Sequence, residues 1–448
     1  MEDRHAVGAL NRLFNFKRGE GPAVASGLAM FFLLFTAYFM LRPVRETMGL
    51  AGGVENLQWL FTGTFLATLV AMPLFGWLAS AVARGHILPW VYGFFTLNLL
   101  GFAIVLSLMP GNVWVGRVFY IWLSVFNLMA ISLAWSVLAD IFSGDAARRL
   151  FAMIAGGASL GGLAGPLLGA ALVTPLGHGG LLFLSAVLLA GSGSASLYLH
   201  RWRDRHPQAG AMEPDDAQRH RPLGGNPFAG FFEVVRSPYM LGIAFFVVLL
   251  ASVNTFLYFE QARIIAERFP DPARQTQVFG YIDAVVQTLA ILTQVFFTGR
   301  IAQRLGVGVL LTAVPVLVAI GFLWLALSPF FAVLAMVMVG RRAGEYALVR
   351  PGREMLYTVV PAEQKYKAKN FNDTVVYRGS DALSGWLKRG VDLLTDQPGI
   401  ALCLGAGIAL IWALAGAWLA RRYRRGPVPQ AGDGSSADPE RPQALHNS

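Results

Sequence analysis

Arginines and carboxylates placed inside apolar runs define the chemistry open to this chain. One run ends Tyr38-Phe-Met-Leu-Arg42-Pro-Val-Arg45-Glu46, which sets Arg42 and Arg45, or Arg42 and Glu46, on one helical face. A second ends with Asn254, Tyr258, Glu260, Gln261 and Arg263, and a third holds Asp283, Gln287 and Gln294. In a fourth, Phe330 to Val339 is too short to cross a bilayer unless Gly340-Arg341-Arg342-Ala343-Gly344-Glu345-Tyr346 continues it. In a fifth, Asp373, Tyr377 and Arg378 fall within about one turn of each other, with Asp381 three residues on. Ionisable groups at membrane depth cost about 2.5–3.5 kcal/mol each on insertion scales, so they face a cavity or a partner.

Arginine presents a planar fork of donors that matches carboxylate and phosphate. Arg42, Arg45, Arg341, Arg342 and Arg378 are therefore read as the groups that bind an organic anion, phosphorylated anions included. Glu46, Asp283, Glu345, Asp373 and Asp381 are read as balancing those charges in the empty site, or as carrying a coupling ion. Plainer placements stay open at this point. The charges after Leu41 and after Gly340 sit in headgroups if those helices stop there, Arg263 snorkels to the interface, and Asp283 serves a structural ion pair. No P-loop, H-E-x-x-H or G-x-S-x-G is present, and the seven histidines are scattered, so enzyme chemistry and a metal site are not expected.

The elements that must position these residues are long apolar blocks. The 448 residues are 55% hydrophobic and only 14% charged, with mean hydropathy +0.53; soluble domains carry roughly 25% charged residues. Blocks of about 20 residues match a hydrocarbon core of roughly 30 Å. They fall near 24–47, 55–80, 86–109, 113–140, 150–174 and 180–200, then 239–264, 277–300, 306–328, 330–350, 367–391 and 399–421. The expected fold is an all-α membrane protein with twelve transmembrane helices in two six-helix halves, 24–200 and 239–421. Residues 1–23 are expected to form a polar cytoplasmic N-terminus with no cleavable signal, 201–238 a basic cytoplasmic linker, and 422–448 a disordered cytoplasmic tail. Most of the net charge of +10 comes from loops, which carry Lys17, Arg18, Arg84, Arg148, Arg149, Arg300, Arg304 and Lys365 to Lys369 on one side. The opposite turns are nearly free of Lys and Arg, apart from Arg268 and Arg274, so both termini are expected in the cytoplasm. Cys403, the single cysteine, excludes an internal disulfide and is expected to be a buried thiol.

Six spans, a basic linker and six spans resemble the major facilitator superfamily. Gly299-Arg300-Ile301-Ala302-Gln303-Arg304-Leu305-Gly306 is similar to its G-x-L-A-D-R-x-G loop, with Gln303 in place of the acid. Its first-half counterpart, Gly76-Trp77-Leu78-Ala79-Ser80, also lacks the acid. Gly161, Gly165-Pro166 and Gly169 resemble the glycine-proline motif of antiporter branches, or else serve close helix packing. The segment from Arg350 to Ser380 resembles the ATP:ADP antiporter family through Arg353, Glu354, Met355, Lys365, Lys367, Lys369, Asp373 and Arg378 in that order. Arg42-x-x-Arg45-Glu46, Trp135 and Ala147-Arg-Arg-Leu-Phe151 have looser counterparts there. The family's span-4 glutamate, associated with nucleotide binding, stands here as Asn127. The resemblance implies a bacterial side branch that exchanges nucleotides or related anions. It implies no cofactor, a small anionic substrate and the lipid bilayer as partners, no nucleic acid, a monomer, and an inner (plasma) membrane location. A proton-coupled exporter of lipophilic compounds is the alternative.

Overall fold

The computed structural model describes residues 20–81, 84–142, 144–206, 229–395 and 397–426. Most of the linker, the start of the chain and the tail from 427 lie outside them. No strand occurs among the described residues. Eight stretches are long and apolar enough to cross a membrane. Two of these, Arg149–Arg205 and Pro272–Leu327, each hold two helices. They are divided at Gly177 (φ 67°) and Gly306 (φ 75°), left-handed positions that only glycine takes without strain.

The first half comprises α1 (Gly21–Leu50), α2 (Leu57–Ala81), α3 (Arg84–Leu108), α4 (Val113–Ile141), α5 (144–176) and α6 (178–205). A short amphipathic helix, Ala229–Arg236, leads into α7 (Pro238–Arg268). Then follow α8 (272–305), α9 (307–327), α10 (331–356), α11 (362–394) and α12 (Pro398–Arg424). The segment expected as a loop after span 8 is helical up to Leu305, and the chain reverses at Gly306 alone. Only α10 and α11 fall outside the apolar stretches. They are the two helices whose charges break the apolar pattern; α11 turns Asp381 and Lys388 inward and keeps Leu383, Trp386 and Leu387 on its exposed face.

Each half has its own apolar core. One runs from Ala23 to Trp202 and the other from Val234 to Ala420. Outward faces carry Trp77, Trp90, Leu97, Phe183, Leu317 and Leu414, exposed to what in a bilayer is lipid. Cys403 is exposed among them, contrary to the expectation of a buried thiol. The buried face of α12 runs through Leu402, Ala406, Ala409 and Ala413, and residue 403 points away from it.

A long close contact joins α1 to α5. A Cβ built at Gly157, Gly161, Gly165 and Gly169 would lie 2.4, 2.5, 2.7 and 3.2 Å from the carbonyl oxygens of Leu28, Phe32, Thr36 and Met40. Both series step by four residues, so one face of bare backbone lies along another. The glycine-proline motif of span 5 is thus a packing surface that holds α1 in place, as small residues do in membrane bundles.

Candidate functional site

A cavity of about 540 Å³ opens between the two halves. It is lined from α1 by Tyr38, Arg42, Arg45 and Glu46, and from α4 by Tyr120 and Asn127. From α7 come Asn254, Thr255, Tyr258 and Gln261, from α8 Asp283, and the largest share comes from α10 and α11. All ten residues singled out as binding or balancing groups reach it. They get there because the charged helices continue. α1 runs through Pro43 to Leu50, and α10 does not stop at Gly340 but passes Arg341, Arg342 and Glu345 to Leu356.

The continuation of α10 depends on a π-helical turn at Glu345–Val349. Its cavity-facing residues recur as Met338, Arg341 and Arg342, Glu345 and Tyr346, Val349 and Arg350, then Arg353 and Glu354. A four-residue step on a straight α-helix drifts by about 40°, so one end of this series would rotate away. The wider π turn cancels much of that drift. A second π turn at Asn372–Val376 lies between Phe371 and Tyr377 of α11, and a third, Gln294–Thr298, lies in α8. Carbonyls released from the regular ladder of α10 are met by α8. Gln294 Nε2 donates to Tyr346 O at 3.0 Å, and Thr298 Oγ1 donates to Ala347 O at 2.8 Å.

Every arginine in the cavity faces a carboxylate. Arg42 and Arg342 share Asp283, at 3.6 and 2.5 Å. Arg341 and Arg350 share Glu345, at 3.0 and 3.7 Å, and Arg341 also donates to Asn254 Oδ1. Arg45 meets Glu46 at 3.6 Å and stacks 4.0 Å from the Tyr120 ring. Arg353 meets Asp373 at 2.9 Å, and Arg378 meets Asp381 at 3.5 Å. Thr255 Oγ1 adds a hydrogen bond to Asp381 at 3.3 Å. Glu354 is engaged from outside the cavity by Lys369 at 2.7 Å.

One end of the cavity is closed by both halves. Leu50, Leu57, Phe61 and Tyr120 pack there against Phe259, Ile265, Phe279 and Ile282 in a third apolar cluster. Polar contacts cross the same seam: Tyr258 donates to Glu46, Thr47 and Thr276 hydroxyls lie 2.8 Å apart, and His178 Nε2 lies 2.9 Å from Thr276 Oγ1. The opposite end, toward the start of α1 and the end of α12, is open. Arg350 there keeps 56% of its side chain exposed.

Residues 23–373 match the sequence model of the Major Facilitator Superfamily. The chain belongs to that superfamily. It is a multi-pass membrane transporter for a small organic substrate. Solved structures of the same fold include a bacterial homologue of the iron transporter ferroportin in its inward-facing state. That protein is 12% identical, with a TM-score of 0.64 over 90% of this chain and 98% of that one. The nucleoside transporter NupG is 13% identical, with a TM-score of 0.60 over 89% of this chain and 98% of its own. The human organic anion transporter MFSD10 (TETRAN) is 16% identical, with a TM-score of 0.55 over 90% and 100%. At such identities the likeness shows the fold alone. No curated protein matches the sequence.

Within this facilitator frame the structure adds several residues to those read as binding or balancing groups. Arg350 and Arg353 were legible only as part of a family-like segment, because without the π turn they point elsewhere. Asn127 lines the cavity with a buried Oδ1 that has no hydrogen-bond partner among the described residues. Span 7 supplies Tyr258 and Asn254 to the cavity, whereas Glu260 is turned away, 2.7 Å from Arg263 and 3.3 Å from Lys388. Arg263 therefore holds an ion pair, which interfacial snorkelling did not foresee. Lys388, 4% exposed, carried no warning in the sequence beyond its place in a polar helix.

Proposed function

We propose that this facilitator exchanges an organic anion, ADP- or ATP-like or another phosphorylated metabolite, by alternating access of its two halves. One observation carries the reading. Seven arginines line the cavity, and once Glu354 is assigned to Lys369, five carboxylates remain to meet them. The empty site is two negative charges short. A dianionic cargo fills that deficit, whereas a cation or a neutral lipophile does not. The Arg350–Ser380 resemblance to nucleotide antiporters agrees with this charge balance, and Asn127, uncharged where those proteins carry a glutamate, leaves the excess intact.

Exchange follows from the same count. Rocking the halves about a central site requires the cavity to pass through a closed state. Closing over an uncompensated pair of arginines costs several kcal/mol in desolvation, and a bound anion offsets that cost. The loaded carrier therefore reorients and the empty one does not. In this reading the protein works as a monomer in the inner membrane, with both termini and the open mouth on the cytoplasmic side, where the basic loops lie.

Thermal melting of detergent-purified protein with ADP, ATP and sugar phosphates tests the anion site. A ligand at a hundredfold its Kd stabilises by about 2.7 kcal/mol. Stabilisation by phosphorylated compounds, reduced in Arg378→Gln, is the expected result. A shift with lipophilic compounds and none with any phosphate compound would replace this reading with the exporter.

A further inference from the structure

The two shared carboxylates locate where the missing negative charge belongs. Asp283 serves Arg42 and Arg342, and Glu345 serves Arg341 and Arg350, so each falls one charge short. Tyr346 stands between these two pairs. Its hydroxyl accepts from Arg42 Nη1 at 3.5 Å, and its ring lies 4.5 Å beneath the Arg350 guanidinium. The hydroxyl proton of Tyr346 has no acceptor among the described residues. The other three carboxylate pairs in the cavity are matched one to one.

We infer that Tyr346, Arg42, Arg342 and Arg350 form a subsite for a single doubly charged group, a terminal phosphate monoester. The inference rests on the anion reading and deepens it: what is recognised is the charge of two on one group, not the mere presence of an anion. Arg42 comes from the first half and the other three from the second, so the group spans the interface between them. The phenol supplies a neutral donor, and the two arginine pairs supply one unmatched positive charge each. A monoanion of the same shape satisfies only one pair and leaves the other in deficit. The π turn makes the subsite possible, because it keeps Arg350 on the same side of α10 as Arg341 and Arg342.

The test compares binding of AMP with adenosine 5′-sulfate, which has nearly the same shape and one charge fewer. Wild type is expected to prefer AMP by roughly tenfold or more, the scale of one added charge-assisted hydrogen-bond set. Arg350→Gln should bring the two affinities close to equal, Arg350→Lys should keep part of the preference, and Tyr346→Phe should weaken both ligands. Gel-filtration profiles and melting temperatures of the variants check that the fold is retained. Equal affinities in wild type, or an unchanged preference in Arg350→Gln, would overturn the subsite while leaving an anion site in place. Failure of wild type to bind AMP, ADP or any phosphate ester would remove the anion reading and the subsite with it.

Discussion

Asp283→Ala is expected to destabilise the protein by about 3–5 kcal/mol, because it strips two arginines at once of the only carboxylate that pairs with them among the described residues. Asp283 and Arg342 are both buried, and Arg42 is mostly so. Removing the aspartate leaves Arg342 with no ion-pair partner among the described residues, in a region water reaches poorly, and leaves Arg42 with the Tyr346 hydroxyl. The damage should be repairable in a way that reports on function. A phosphate ester can occupy the vacated place between the arginines, so saturating ADP should raise the melting temperature of Asp283→Ala by more than it raises that of wild type. Replacing Arg342 as well, in Asp283→Ala with Arg342→Met, should recover stability but abolish the gain from ADP. A variant that melts like wild type would mean that Asp283 is not the keystone of the two halves.

The second large effect concerns packing and turns on two adjacent glycines. Gly156→Ala has open space around its new methyl group, since nothing lies within 4 Å, and should stabilise α5 by about 0.5–1 kcal/mol through helix propensity. Gly157→Ala drives its methyl to 2.4 Å from Leu28 O and 3.2 Å from Leu28 C. That contact is backbone on α1, which cannot rotate aside as a side chain can. The cost is that of overpacking, about 1–3 kcal/mol. It should rise when Gly161→Ala is added, because both methyls wedge the same two helices apart. Tryptophan-fluorescence melts of the two single variants should therefore move in opposite directions. Equal shifts would mean that the α1–α5 contact is looser than described. Since α1 carries Arg42, Arg45 and Glu46, the same wedge should also weaken anion binding.

These two cases also show what was legible in the sequence. Ten of the twelve helices could be read from apolar blocks because lipid leaves a plain signal, a span long and nearly uncharged, whereas α10 and α11 had to be read from the charges that interrupt theirs. The same rule made Arg42, Asp283, Arg341 and Arg378 conspicuous, and all four reach the cavity. Glycines four residues apart in span 5 announced a close contact but could not say with what, since the partner series on α1 is made of carbonyls and leaves no mark in residue type. Pairings across the halves, such as Asp283 with Arg42, depend on how two separate bundles dock and lie beyond any local pattern. Arg350 and Arg353 were hidden by helical periodicity. An α-helix read at 3.6 residues per turn takes them off the face that holds Arg341, and no residue in Glu345–Val349 signals that the turn there is wider. Cys403 was misplaced because an apolar neighbourhood suggests burial in a soluble protein, whereas on a membrane helix it fits the lipid face equally well.

In this carrier the two-charge deficit is proposed to make transport an exchange. Its most direct test is uptake of labelled ADP into proteoliposomes that contain either unlabelled ADP or buffer alone. Rapid uptake into ADP-loaded vesicles, with little into empty ones, is the predicted result, and loading with adenosine should not substitute for ADP. Equal uptake into loaded and empty vesicles, driven instead by an imposed pH gradient, would show that the empty cavity reorients freely and would contradict the account.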